Sequence, residues 1–84
     1  MNKNLLRSIM TLHNETNKDL AKLLNVSEQT VSAKINETGT EFKQGEIAAI
    51  ALHYHLTTQQ IVDVFFAQQV SYADTVKEGE YFLP

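Results

Sequence analysis

The chain has no cysteine among its 84 residues, which excludes disulfide bonds and thiolate metal sites. It also lacks long apolar runs, and the opening MNKNLLRSIMTLHNE has no signal-peptide core of about 7–15 apolar residues. Nor does it contain a stretch of about 18 apolar residues that could span a membrane. We therefore expect a soluble protein of the reducing cytoplasm, with no membrane partner.

The chain also lacks the residue patterns that catalysis and metal binding require. It shows no nucleophile–base arrangement and no glycine-rich loop that could cradle a phosphate group. His53 and His55 are two positions apart, so on a helix they point in divergent directions and cannot share a metal ion as an i, i+4 pair can. We expect no enzyme activity, no cofactor and no bound metal.

Basic residues are scarce, because seven lysines and arginines stand against ten acids and give a formal net charge of −3. This is the wrong sign for a simple nucleic-acid binder. Residues 1–36 carry five basic and three acidic side chains, a net of +2, whereas residues 37–84 carry two and seven, a net of −5. The charge distribution therefore permits DNA binding without arguing for it.

Apolar residues recur at helical spacing along most of the chain and predict an all-α domain of five helices. The first helix is expected over residues 2–13 and the fourth over residues 44–55. The fifth begins at a capping box formed by Thr57 and Gln60. The apolar faces of these three helices consist of Leu5, Leu6, Ile9, Met10 and Leu12; Ile47, Ile50, Ala51 and Tyr54; and Ile61, Val62, Phe65 and Phe66.

Residues 16–36 predict two short helices joined by a tight turn. Thr16 is the expected N-cap of the second helix, with Asp19 three residues later, and this helix buries Leu20, Ala21 and Leu24. Asn25 ends the helix where a left-handed backbone is needed, Val26 fills the angle between the helices, and Ser27 caps the third helix. The third helix, residues 28–36, buries Val31 and Ile35.

The opposite side of the third helix carries small polar and amide side chains rather than the lysines and glutamates of a typical solvated face. Its centre is formed by Gln29, Ala33 and Asn36, flanked by Thr30 and Ser32. By residue type alone, this face could be solvated or could contact DNA. Lys3, Arg7 and Lys22 are interpreted as scattered solubilising charges.

Two runs, DLAKLLNVSEQTVSAKIN and EFKQGEIAAIALHYHLTTQQIVDVFF, resemble the phage-repressor Cro/CI (XRE-type, lambda-repressor-like) helix-turn-helix domains over residues 3–67. The resemblance implies a compact five-helix domain over residues 1–67 and a separate acidic tail over residues 68–84. Phe42 is expected to anchor the loop after the third helix. The matching elements are Leu20-Ala21, Val26-Ser27, Val31, Ser32, Phe42, Glu46-Ile47 and Phe65-Phe66.

In this family the second motif helix enters the major groove of double-stranded DNA. The resemblance therefore implies that helix 3 reads bases, with Gln29 as the best candidate because an amide pairs bidentately with adenine. The stem of Lys34 is expected to pack while its ammonium reaches outward. The implied DNA-binding residues are Asn17, Lys18, Ser27, Glu28, Gln29, Thr30, Ser32, Ala33, Lys34, Asn36, Thr38 and Lys43.

Two functions remain open at this point. The first is a sequence-specific transcriptional regulator, Cro- or repressor-like, from a phage or mobile element and associated with the bacterial nucleoid. The second is a helix-turn-helix protein that lost DNA binding and acts on a partner repressor, as a modulator or antirepressor. The regulator is the leading hypothesis, because of the motif and the polar face of helix 3. The acidic balance, Glu28 and the tail support the alternative, and a carboxylate at the groove meets phosphate repulsion unless it accepts from cytosine N4.

A single domain of this size reads few base pairs, so a homodimer on inverted half-sites is expected, about 34–36 Å apart. Three alternatives remain open for the tail over residues 68–84: it is disordered, it packs on its own domain, or it takes part in dimerisation. The candidate dimerisation residues are Phe65, Phe66, Tyr81 and Phe82, and the Phe65-Phe66 pair is expected to serve as core and as the edge of an interface.

Overall fold

Five α-helices make up residues 1–66, the part of the chain that the computed structural model describes. The all-α class is confirmed, and the two motif helices have the predicted bounds. Residues 68–84, the predicted tail with Tyr81 and Phe82, lie outside the described residues. The helices are α1 (Lys3–Leu12), α2 (Asn17–Leu24), α3 (Glu28–Asn36), α4 (Gln44–His53) and α5 (Thr58–Phe65).

Four helices end in the same way, with a left-handed residue that is not glycine. Asn14, Asn25, Glu37 and His55 have φ values between 55° and 58°. After each of them the chain folds back, as when the Val26 N–H donates to the Ala21 carbonyl at 3.0 Å. Only Asn25 was predicted to do this. Helix α4 ends two residues earlier than predicted because His55 leaves the helical conformation.

Side-chain caps fix the helix starts where the sequence predicts them. The Thr16 N–H donates to the Asp19 carboxylate at 2.8 Å, and this bond is the main reason that the pKa of Asp19 is lowered. The Ser27 hydroxyl accepts from the Thr30 N–H at 3.0 Å at the start of α3. Thr57 and Gln60 form the predicted capping box of α5.

The core lies between α2 and the helices around it. Helix α2 packs against α3 and α4, while α5 packs against α1 and α4. Ala21 is buried on α2, as expected for a small side chain at a close helix crossing. Within residues 1–66, no helix is long and apolar enough to cross a membrane. The fully buried side chains are Leu6, Leu20, Val31, Ile35, Ile50 and Val64.

Some apolar positions were assigned to the wrong environment. Leu12, the last residue of α1, is 81% exposed, and Leu24 is only half-buried. Val64 is fully buried although the predicted face omitted it, whereas Phe66 is 37% exposed. Val64 lies three residues after Ile61 and so on the same side of α5, whereas Phe66 follows the last residue of the helix.

Candidate nucleic-acid interface

The two motif helices hold the exposed side of α3 in a fixed orientation. Asn25 turns the chain with φ of 57°, and the half-buried Val26 packs against the core between the helices. Val31 and Ile35 are buried, as predicted, so α3 cannot rotate about its axis without losing core contacts. The polar side of α3 lies opposite these buried residues and therefore faces outward.

The side chains on the outward side of α3 differ in whether they form hydrogen bonds within the protein. Gln29 and Glu28 are exposed at its amino-terminal half. Ser27 and Thr30 share a hydrogen bond of 2.9 Å between their hydroxyls. Asn36 donates to the Ser32 carbonyl at 3.0 Å, and its side-chain oxygen accepts from the Lys3 ammonium at 3.3 Å. Ser32 and Ala33 are half-exposed. The amides of Gln29 and Asn36 are both exposed, but within residues 1–66 only that of Asn36 is hydrogen-bonded.

The amino-terminal end of α2 borders an open cavity of about 400 Å³. Asn17 and Lys18 line it from α2, Glu28 from α3, and Arg7 from α1. Arg7 and Lys3 were expected from the sequence to be scattered solubilising charges. They are four residues apart on α1, and the tertiary structure brings Arg7 beside α2 and Lys3 beside the end of α3.

Two acidic residues near the motif are held by other groups. The Glu15 carboxylate lies 2.9 Å from Nε2 of His53 and accepts from the Tyr54 hydroxyl at 2.9 Å. Burial and then this hydrogen bond raise the pKa of Tyr54 above its ordinary value. The Glu37 carboxylate lies 3.3 Å from the amino group of Met1. Glu28 is exposed on the candidate face itself.

Lys34 departs from its prediction, since its ammonium was expected to reach outward. The residue is only 4% exposed, and its Nζ donates to Oε1 of Glu46 at 2.7 Å. A weaker contact of 3.4 Å joins the same ammonium to the Glu41 carbonyl. That expectation was wrong, because a carboxylate on α4 lies within reach of the ammonium. In this structure Lys34 is not presented to a phosphate group.

The opposite edge of the face is formed by the α3–α4 loop. Thr38 is exposed, and its N–H donates to the Ala33 carbonyl at 3.0 Å. Lys43 is exposed at the N-cap of α4. Phe42 anchors this loop, as predicted, with its ring edge-to-face against Phe65 at 5.9 Å between centroids. Across residues 1–66, no three metal-ligating side chains form a group that could hold a metal ion.

The pKa of the Glu46 carboxyl lies below its ordinary value of 4.5. Burial by itself raises this pKa, but hydrogen bonds from the Lys34 ammonium and the Lys43 N–H, with the charges of both lysines, outweigh it. A carboxyl with a depressed pKa stabilises the fold above its unfolded pKa, and that stabilisation disappears as the pH falls through the folded pKa.

Glu46→Gln should therefore lower the free energy of unfolding at neutral pH, and the difference from wild type should shrink below pH 4.5. Urea denaturation at a series of pH values from neutral to acid measures the difference. Glu41→Gln is the matched control, because the Glu41 side chain is exposed. A difference at Glu46 that stays constant down to the lowest pH would contradict the assignment of the ion pair.

Two helices joined by a tight turn, with an outward polar face on the second, define a helix-turn-helix protein. The family model described as the Cro/C1-type HTH DNA-binding domain matches residues 5–66, more than half of the chain. The chain belongs to this family, so it is a DNA-binding helix-turn-helix protein, as the resemblance predicted. No curated protein and no solved structure shows significant similarity to it.

Proposed function

We propose that the protein is a sequence-specific transcriptional regulator that lays α3 in the major groove of an operator half-site. The observation that carries this proposal is the outward polar side of α3, with exposed Gln29, next to the amino-terminal end of α2. Side chains on the first turns of such a helix reach base edges. By occupying the operator it excludes polymerase, as a repressor of a phage or mobile element would.

Base reading is assigned to the amino-terminal half of α3 and phosphate contact to its surroundings. Gln29 pairs with a base, while Ser27, Glu28, Thr30, Ser32 and Ala33 line the groove. Lys18 and Asn17 contact phosphate at the positive end of the α2 dipole, with Arg7 beside them across the same cavity. Asn36, Thr38 and Lys43 contact the DNA backbone at the other edge of the α3 face.

The proposal is tested by fluorescence anisotropy with a selected operator and a scrambled duplex at several salt concentrations. An operator is first obtained by selection from random duplexes. The expected result is tighter binding to the operator and a logarithmic affinity that falls linearly with the logarithm of salt concentration. Equal binding to both duplexes, or no salt dependence, would reject the proposal.

Lys18→Ala should weaken binding to operator and scrambled duplex alike, because a phosphate contact carries no sequence information. The salt slope should fall by about 1. Lys22→Ala is the matched control, since it removes the same charge one turn further from the amino end of α2. Equal slopes for wild type and Lys18→Ala would remove Lys18 from the interface.

Gln29→Ala should relax discrimination at one base pair, at a cost of about 1–3 kcal/mol in operator binding. Binding to scrambled DNA and the salt slope should stay as in wild type. Gln59→Ala makes the same change on α5, where Gln59 donates to Asp63 at 2.9 Å. A panel of operators with single base changes identifies the position that Gln29 reads. Unchanged discrimination across the whole panel would show that Gln29 is not a base reader.

Pairing with a second copy is part of the proposal, because the domain has few basic residues with which to hold DNA alone. Phe65 is buried in the core, so of the described aromatic candidates only Phe66 offers exposed surface. Tyr81 and Phe82 remain candidates by sequence. Sedimentation of the free protein and of its operator complex gives the stoichiometry, and a single copy per palindromic operator would reject pairing.

A second function is favoured by two observations, the exposure of Leu12 and Leu52 and the net charge of −3. In this alternative the protein binds a partner repressor instead of an operator. It predicts no duplex binding by the protein alone and a loss of duplex binding by the partner repressor when the two are mixed.

A further inference from the structure

A partly buried ion pair joins the two helices on either side of the α3–α4 loop. Lys34 lies in the last turn of α3 and Glu46 in the first turn of α4. Their Nζ–Oε1 distance is 2.7 Å, with side chains only 5% and 17% exposed. Both helices pack mainly on α2, so this pair is a direct link between them.

One carboxylate oxygen of Glu46 accepts hydrogen bonds from two parts of the chain. Its Oε1 accepts from the Lys34 ammonium and also from the backbone N–H of Lys43, at 2.8 Å, which caps α4. The same ammonium approaches the Glu41 carbonyl at 3.4 Å. The end of α3, the loop over residues 37–43 and the start of α4 therefore share one polar centre.

Compared with well-packed apolar side chains, such a pair adds little stability, although removing only one partner is costly because it leaves the other charge unpaired. Removing two charges from water costs about as much as their attraction returns, so well-packed apolar replacements are often equally stable. A buried pair can instead select one arrangement among several packings of similar energy. Here the arrangement it selects is the position of α3 relative to α4, with exposed Thr38 and Lys43 carried on the loop between them.

We propose that Lys34 is a positioning residue that acts through Glu46. The pair fixes the 37–43 loop and the carboxyl-terminal end of α3, and in this way sets how the outward face of α3 meets DNA. This inference rests on the proposed function for its effect on operator binding. Its effect on the loop is independent of DNA.

The test uses the full chain with the double substitution Lys34→Met and Glu46→Gln. Methionine replaces the lysine stem without the charge, and glutamine keeps an oxygen that can accept from the Lys43 N–H. Thermal unfolding, amide hydrogen exchange by NMR and operator binding at several salt concentrations are measured on wild type and variant.

We expect the double variant to melt close to wild type while amides of residues 37–43 exchange faster and core amides do not. Operator affinity should fall about fivefold, within the range for residues that do not touch the ligand, with an unchanged salt slope. Adding Gln29→Ala should then cost less than it does in wild type, because a misplaced α3 has already lost part of that contact.

Three results would overturn the inference. Unchanged exchange in residues 37–43 would show that the pair does not fix the loop. A salt slope lowered by about 1 would show that Lys34 contacts phosphate directly. Unchanged operator affinity in a variant with a faster-exchanging loop would show that the loop does not set how α3 meets DNA. If wild type binds no operator, the proposed function fails, and the exchange data still decide the structural half of the inference.

Discussion

Leu20→Ala should lower the free energy of unfolding by about 2–5 kcal/mol, because it leaves a cavity at a fully buried position. Leu20 lies on α2, which packs against both α3 and α4. A chain of this length has a total stability of only about 4–13 kcal/mol. The substitution therefore removes a large fraction of it, and DNA binding should be lost near the new melting temperature.

The matched control for Leu20→Ala is Leu52→Ala, since the same atoms are removed from a side chain that is 78% exposed. Its effect should stay within about 0.5 kcal/mol. Urea denaturation followed by circular dichroism measures both variants. Comparable losses at the two positions would mean that Leu52 is covered in solution, and a small loss at Leu20 would contradict the packing around α2.

Lys34→Met alone should destabilise the protein far more than Lys34→Met combined with Glu46→Gln. The single change leaves a partly buried carboxylate without its cation. This costs about 3–5 kcal/mol for a fully buried charge, and the partial exposure of Glu46 places the expected loss at the lower end. The double change leaves no unpaired charge. Urea denaturation of wild type, both single variants and the double variant completes a double-mutant cycle.

Acid provides an internal check on the Lys34→Met result. Without the Lys34 ammonium, the Glu46 carboxylate is unpaired, and binding a proton removes its charge. The loss in free energy of unfolding caused by Lys34→Met should therefore shrink as the pH falls. Lys43→Met is the control, because the Lys43 side chain is exposed and only its backbone N–H bonds to Glu46. A Lys34→Met deficit as small as that of Lys43→Met would mean that the pair is not formed in solution.

Because the Lys34 ammonium is buried, fewer basic side chains remain for the proposed phosphate contacts of a chain whose net charge is −3. Lys18 and Lys43 remain from the predicted set, and Arg7 joins them from α1. Glu15 is bound to His53 and Tyr54, so its charge is partly engaged elsewhere. Each proposed contact contributes about one unit of salt slope, and a dimer doubles the number.

The sequence alone determined the all-α class, the bounds of α2 and α3, and the burial of Val31 and Ile35. These features are local, because capping residues and helical periodicity act within a few positions of each other. The left-handed conformation of Asn25 was predictable for the same reason. That of Glu37 was not, because glutamate is not typical of that conformation.

The tertiary structure decided the surroundings of the long polar side chains. Lys34 is buried because Glu46, twelve positions away, caps α4 at the place where the lysine ends. Arg7 joins the candidate interface because α1 passes beside the amino-terminal end of α2. The sequence therefore fixes which side of α3 faces outward, since periodicity is a local property. The environment of each charge depends on groups distant along the chain, and only the assembled fold brings them together.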